Sequence, residues 1–207
     1  MTENTIIEQQ IQRIRQTLHD IQPYEITILT GSNGSGKSLV RQQLKYAFQK
    51  RYNQTITTVD VSLAKRTSSN ASLGALGSFM ADDPTNPTSL ETYHHIERLF
   101  HSFAVKENDH HVYIILDEPE IGMSKESQLS LAKYLKSQLV NIYRHTFGML
   151  IITHSEFFVN ELKDISTFYN MDGYKTYEDW CNRTIEPTDF STLSQQSLEL
   201  FRRLSKT

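Results

Sequence analysis

The chain has 207 residues, of which 38% are hydrophobic and 22% charged, and it carries a formal net charge of −3. That length allows one well-buried domain and is short for two, and the charge balance argues against binding nucleic acid by bulk electrostatics. Cys181 is the only cysteine, so no intrachain disulfide can form; together with a polar N-terminus lacking a signal-peptide core and no apolar run of membrane-spanning length, this points to a soluble, cytoplasmic protein with no membrane insertion.

Ile7, Ile11, Ile14, Leu18 and Ile21 form one apolar stripe on a polar background. Their spacing predicts an amphipathic helix within residues 1–23, ended by Pro23, and leaves 24–207 as the main domain. Residues 24–30 read as a buried strand and 39–51 as a helix. Between them stands Gly31-Ser32-Asn33-Gly34-Ser35-Gly36-Lys37-Ser38, a complete G-x-x-x-x-G-K-S loop followed by Leu39. Strand, glycine turn and helix together aim backbone N–H groups and a positive helix end at polyphosphate. Lys37 would then reach the β and γ phosphates, and the Ser38 hydroxyl would ligate Mg²⁺. Arg41, Lys45, Lys50 and Arg51 on the following helix read as a solvated face or a local basic patch.

Residues 55–61, rich in β-branched side chains, predict a second strand. From 62 to 88 the chain turns to Ser, Thr, Asn, Gly and Pro, a long loop of the kind usually kept for function. A helix is predicted over 89–105 with Leu90, Tyr93, Ile96, Leu99, Phe100 and Phe103 on its apolar side, so 62–105 reads as a loop-and-helix insertion in the main domain. Residues 112–116 are a near-continuous apolar run, expected of a strand covered on both faces. A helix follows over 126–143, a buried strand over 148–153, a short helix over 155–162, a strand over 165–169, a turn at Asp172-Gly173, and a closing helix over 190–204. Strands alternating with helices predict an α/β fold, a three-layer αβα sandwich of the P-loop NTPase kind around a mostly parallel sheet.

Ligands in such sheets collect beyond the carboxyl ends of the strands. Asp117 and Glu118 follow one buried strand, and Thr153-His154-Ser155 follows another. Asp117 is placed to hold Mg²⁺ near Ser38, Glu118 to orient and deprotonate an attacking water, and His154 to contact a γ-phosphate. Tyr24 reads either as a stacking partner for adenine or as a core-edge tyrosine. His94, His95 and His101 lack the Cys or paired carboxylate that would complete a zinc site.

The three motifs, residues 31–38, 112–118 and 151–154, resemble in kind and order the Walker A, Walker B with adjacent glutamate, and switch histidine of the ATP-binding cassette superfamily. The Asp-Glu-Pro-Glu-x-Gly run at 117–122 is most similar to its compact stand-alone ATPases of bacteria and phages. The resemblance implies Mg²⁺-dependent ATP hydrolysis, with Lys37 on phosphate, Ser38 and Asp117 on the metal, Glu118 as base and His154 at the γ-phosphate. It also implies a homodimer that forms on ATP binding, with residues 121–124 near its interface.

Two departures stand out. No glutamine occurs from 55 to 127, where the family usually has one, so that role is vacant or taken by another residue such as Ser62 or Arg66. The family's signature sequence is also absent as written; its best match is Pro87-Thr88-Ser89-Leu90-Glu91-Thr92, in which Ser89 would cap its own helix or face a phosphate of a second subunit. The alternative reading is therefore a nucleotide-gated binding subunit of a larger assembly, with a protein or DNA partner and little turnover of its own. A transporter cassette ranks lower, because the segment between 55 and 112 is short for a coupling region.

Overall fold

Alternate residues of a strand point to opposite faces, and the core divides accordingly. Ile114 and Leu116 join Ile28, Met149 and Ile151 in one buried cluster. Tyr113 and Ile115 join Leu29, Leu150 and Ile152 in the other. The computed structural model describes residues 3–53, 56–62, 88–104, 112–142, 146–184 and 190–204. Its elements are α1 (Glu3–Asp20), β1 (Ile26–Thr30), α2 (Lys37–Tyr52), β2 (Thr57–Ser62), α3 (Thr88–Ala104), β3 (Val112–Asp117), α4 (Lys125–Ile142), β4 (Gly148–Ile152), α5 (Glu156–Leu162), β5 (Thr167–Asn170), α6 (Tyr177–Cys181) and α7 (Phe190–Leu204).

The five strands form one parallel sheet in the order β2-β3-β4-β1-β5. Helices α3, α4, α5 and α6 cover one face, contributing Ile96, Leu135, Phe158 and Trp180 to the first cluster. Helices α1, α2 and α7 cover the other, contributing Ile14, Leu44 and Leu200 to the second. The outcome is the expected three-layer α/β sandwich. Trp180 is a packing residue, tilted against Phe168 with ring centroids 6.2 Å apart. Helix α6 was not foreseen: it is five residues long, too short for periodicity, and starts where the Thr176 side chain accepts a bond from Asp179 N.

One expectation is corrected by burial. Leu90 is exposed although the pattern placed it on the apolar side of α3, while Ile96, Leu99 and Phe100 are buried in the core and Tyr93 packs against it. Phe103, in the same helix, lies outside the residues whose side chains are described. On α7, Leu198 is exposed while Leu200 and Leu204 are buried.

The basic face of α2 is only partly solvated. Arg51 donates to the carbonyls of Leu18 at 2.6 Å and Ile21 at 3.0 Å. These are carbonyls at the end of α1 that its own hydrogen bonds leave open, so Arg51 caps the helix and ties it to α2. Along its length α1 also touches the phosphate loop. A Cβ on Gly36, whose φ is +104°, would stand 2.6 Å from Ile14 Cδ1.

Ile14 and Gly36 therefore share one space. Ile14→Ala is expected to cost about 2–5 kcal/mol and Gly36→Ala about 1–3 kcal/mol from the unfavourable φ. The double variant should cost clearly less than the sum, because the new methyl group enters the space Ile14 vacates. Urea unfolding of the three variants measures this; strictly additive costs would show that the two residues do not compete for that volume.

Candidate functional site

Three strand ends meet at one edge of the sheet. Glu118 N donates to Ile152 O at 2.8 Å, and Thr153 N donates to Leu29 O at 3.1 Å. These bonds place the segments after β3, β4 and β1 side by side. Between them and α7 lies a cleft of about 310 Å³ lined by Asn33, Gly34, Gly36, Lys37, Ser38 and Leu39 from the loop and first turn of α2. Asp117 and Glu118 line the same cleft, as do Gln42, Ile152, Ser197, Leu200 and Phe201. The predicted phosphate loop and acidic pair are thus brought together, whereas Gln42 and the wall from α7 had no motif to announce them.

The loop is held at both ends. Gly31 has φ +147°, and a Cβ there would meet Ser35 Oγ at 2.6 Å and Met171 Cβ at 2.9 Å. Ser32 gives its N–H to Asp172 Oδ2 at 2.8 Å and its hydroxyl to the same oxygen at 3.0 Å. Asp172 is positioned in turn by Asn170, whose Oδ1 accepts from Asp172 N at 2.9 Å and Tyr174 N at 3.1 Å. Arg13 of α1 donates to Met171 O at 3.2 Å and steadies the same turn. The dipeptide Asp172-Gly173, legible in the sequence only as a turn, is therefore the clamp on the loop.

Lys37 is buried, and its ammonium donates to Gly31 O at 2.8 Å and Ser32 O at 3.0 Å. Burial lowers its pKa, while Glu118, Asp172, Asp117 and Glu120 oppose that shift. The lysine thus bridges the start of its own loop, in reach of the cleft.

Asp117 ends β3 paired with Arg41, whose guanidinium also lies 3.7 Å from Asp60 Oδ2. Burial pushes the Asp117 carboxyl up, and Arg41 works against this. Arg41 is four residues past Lys37 and so faces the sheet one turn further along α2, not the solvent face its basic neighbours suggested.

Glu118 takes the left-handed backbone conformation, φ +51°. For a residue with a Cβ this conformation is uncommon and concentrates at functional sites. It turns the side chain away from Asp117 and toward His154, whose Nε2 lies 3.1 Å from Glu118 Oε1. That hydrogen bond holds the Glu118 carboxyl below its ordinary range, against the effect of burial.

His154 is itself set by Glu120. The buried Glu120 Oε1 accepts from Thr153 Oγ1 at 2.7 Å and from His154 N at 2.8 Å. Burial raises the Glu120 carboxyl, opposed by the Thr153 bond. Glu120 was passed over in the sequence because nothing in its spacing reveals contact with a strand end 33 residues later.

The backbone of Ser89 belongs to the first turn of α3, which begins at Thr88; its side chain lies outside those described, as do the side chain of Ser62 and all of Arg66. Tyr24 is at the wrong end of β1 for adenine. It lines a separate groove with Glu25, Ile26, Asp164, Ile165, Ser166 and Thr167, and its ring packs 5.3 Å from that of Phe147. Among the described residues no cluster of three or more His, Cys, Asp or Glu is arranged to hold a metal by itself. Ser38 and Asp117, two hard oxygen donors in one cleft, nevertheless fit an Mg²⁺ that a bound phosphate helps to ligate. Among the described residues no helix is long and apolar enough to cross a membrane.

No curated protein matches the chain. A solved structure of C. elegans PCH-2 aligns with 82% of this chain at 15% identity and a TM-score of 0.38. The chain spans 41% of that protein's length. A family model described as an AAA domain matches residues 21–158. The family reached in this way is the AAA domain and not the cassette superfamily that the motifs resemble. Its match takes in the phosphate loop, the Asp117–Glu118 pair and His154, and the chain therefore belongs to the AAA domain family and is a P-loop ATPase.

Proposed function

We propose that the cleft binds ATP with Mg²⁺ and that Glu118 activates the water that cleaves the γ-phosphate. The observation that carries this reading is the His154–Glu118 contact of 3.1 Å beside the Lys37 loop. A carboxylate kept ionised by an imidazole, next to a phosphate cradle, can accept a proton from water and hold that water in line. Lys37 would exchange its two carbonyl partners for phosphate oxygens, and the N–H groups of residues 33–38 would add fixed positive dipoles. Ser38 and Asp117 would hold Mg²⁺, which supplies neutralisation of phosphate charge.

Cassette-like behaviour is the finer part of the proposal. It is supported by the glutamate directly after Asp117 and by the histidine after β4. ATP would join two copies of the chain, with the start of α3 at Ser89 facing the phosphates of the partner copy, and hydrolysis would separate them. The absence of glutamine from 55 to 127 favours a second form of the reading, in which the ATP cycle gates binding to a protein or DNA partner and turnover alone is weak. The single Cys181 fits a reducing, cytoplasmic setting. In either form residues 24–207 act as one ATPase domain, and α1 within residues 1–23 braces it.

Glu118→Gln should lower kcat by roughly 10²–10⁴-fold while ATP affinity stays within a few-fold, measured by phosphate release and calorimetry. Under ATP and Mg²⁺ the same variant should accumulate as a dimer in light scattering. A variant that hydrolyses like wild type would remove Glu118 from the chemistry. Lys37→Ala should instead weaken binding itself, by about tenfold or more.

Arg41→Met leaves Asp117 and Asp60 facing each other without their shared guanidinium. Stability should fall by about 1–3 kcal/mol. Added Mg²⁺ should raise the melting temperature of this variant more than that of wild type, since a second cation can take over Asp117. Equal responses to Mg²⁺ would show that Arg41 and the metal do not share that carboxylate.

A further inference from the structure

The phosphate loop accounts for one side of the cleft and leaves the other unexplained. Three lining residues come from α7: Ser197, Leu200 and Phe201, in the same cleft as the phosphate loop. Resting on the nucleotide-binding reading, we propose that α7 is the nucleoside-recognition element, with Phe201 as the ring on which the base stacks. The ligand class is then a nucleoside triphosphate, purines favoured by their larger stacking area, in preference to bare polyphosphate.

Phe201 is 52% exposed, while its neighbour Leu200 is 1% exposed. One position on a helix turns the side chain by about 100°, so Leu200 anchors α7 to the core and Phe201 is presented at the cleft rather than within it. A half-exposed phenyl ring on a cleft wall can take a flat aromatic ligand, whose stacking removes apolar area from water on both partners.

The wall is rigidly registered to the phosphate loop. A Cβ on Gly36 would meet Leu200 Cδ2 at 3.4 Å, so the helix rests on the loop itself. Arg203 fastens the next turn, donating to Glu199 Oε1 at 2.8 Å and to Glu8 Oε1 of α1 at 2.8 Å. Leu204 is buried in the same cluster as Ile7 and Ile11. Phe201 is therefore held at a set distance from the phosphate cradle, as a site that measures a phosphate chain and a base together requires.

The polar groups on this side fit the same ligand. Gln42 from α2 and Ser197 from α7 line the cleft with Phe201, and an amide and a hydroxyl are suited to base edges and ribose hydroxyls. Tyr24, the other aromatic considered for this role, is separated from the loop by the length of β1.

The test compares ATP with inorganic tripolyphosphate, both in Mg²⁺, by calorimetry on the full chain. Phe201→Ala should weaken ATP binding by roughly 5–100-fold, the usual loss for one base–aromatic stack, and change tripolyphosphate binding by less than about twofold. Phe201→Tyr should restore ATP binding to near wild type, and Lys37→Ala should weaken both ligands. Circular dichroism confirms that each variant folds. Wild-type ATP affinity in Phe201→Ala, or an equal loss for ATP and tripolyphosphate, overturns the stacking role while the phosphate site stands. A folded wild-type chain that takes up neither ligand overturns the nucleotide reading, and the stacking role with it.

Discussion

The phosphate loop is packed so closely that its two end glycines have no room for a methyl group. At Gly31 the obstacle is Met171 after β5 and the loop's own Ser35; at Gly36 it is Ile14 of α1, with Leu200 of α7 close behind. Glycine is required here twice over, for the positive φ and for the contact distance. A loop that must offer backbone N–H groups to an anion cannot hold its shape through those same groups, so the shape is imposed from outside. Asp172 takes one N–H at the entrance, and apolar packing from two helices supports the exit.

The charges around the loop are arranged as mutual restraints. Two cations, Lys37 and Arg41, stand among Asp117, Glu118, Glu120 and Asp172, and none of these groups is simply solvated. Lys37 is tied to carbonyls, Arg41 to Asp117 and Asp60, Glu118 to His154, and Glu120 to the backbone at His154. Burial works against the charged form of Lys37, Asp117 and Glu120, while Glu118 is held ionised. The two adjacent carboxylates are thus pushed in opposite directions, the usual mark of groups with different tasks. The left-handed backbone at Glu118 makes this possible, because it sends consecutive side chains to different partners.

Membership of the AAA domain family fixes the general chemistry, and the local resemblance to cassette ATPases concerns how that chemistry is carried out. The glutamate next to Asp117 and the histidine two residues past β4 converge because β4 lies between β1 and β3. A polar residue at the end of β4 necessarily falls between the phosphate loop and the acidic pair. Strand order, more than the identity of any one residue, makes His154 a neighbour of Glu118.

Local signals were sufficient for most of the chain. The glycine–lysine loop, the Asp117–Glu118 pair and His154 were readable because each combines a special residue type with an adjoining strand, and the α/β layering followed from the alternation of periods. Among the described residues strand and helix ends shifted by a residue or two, and the five-residue α6 was not legible. What stayed hidden lies in contacts between segments distant along the chain: Asp172 on Ser32, Glu120 on His154, Arg41 on Asp117, Arg51 on the end of α1, and the α7 wall carrying Phe201. Leu90 was misplaced for the same reason. Periodicity reports which side of a helix or strand is apolar, but it does not say which neighbour will occupy it. The sequence alone determined the phosphate-binding chemistry, because that chemistry is written in a contiguous strand, turn and helix. Only the tertiary structure decided what clamps the loop, what orients the glutamate and what closes the cleft, since those depend on helices and turns brought together from both ends of the chain.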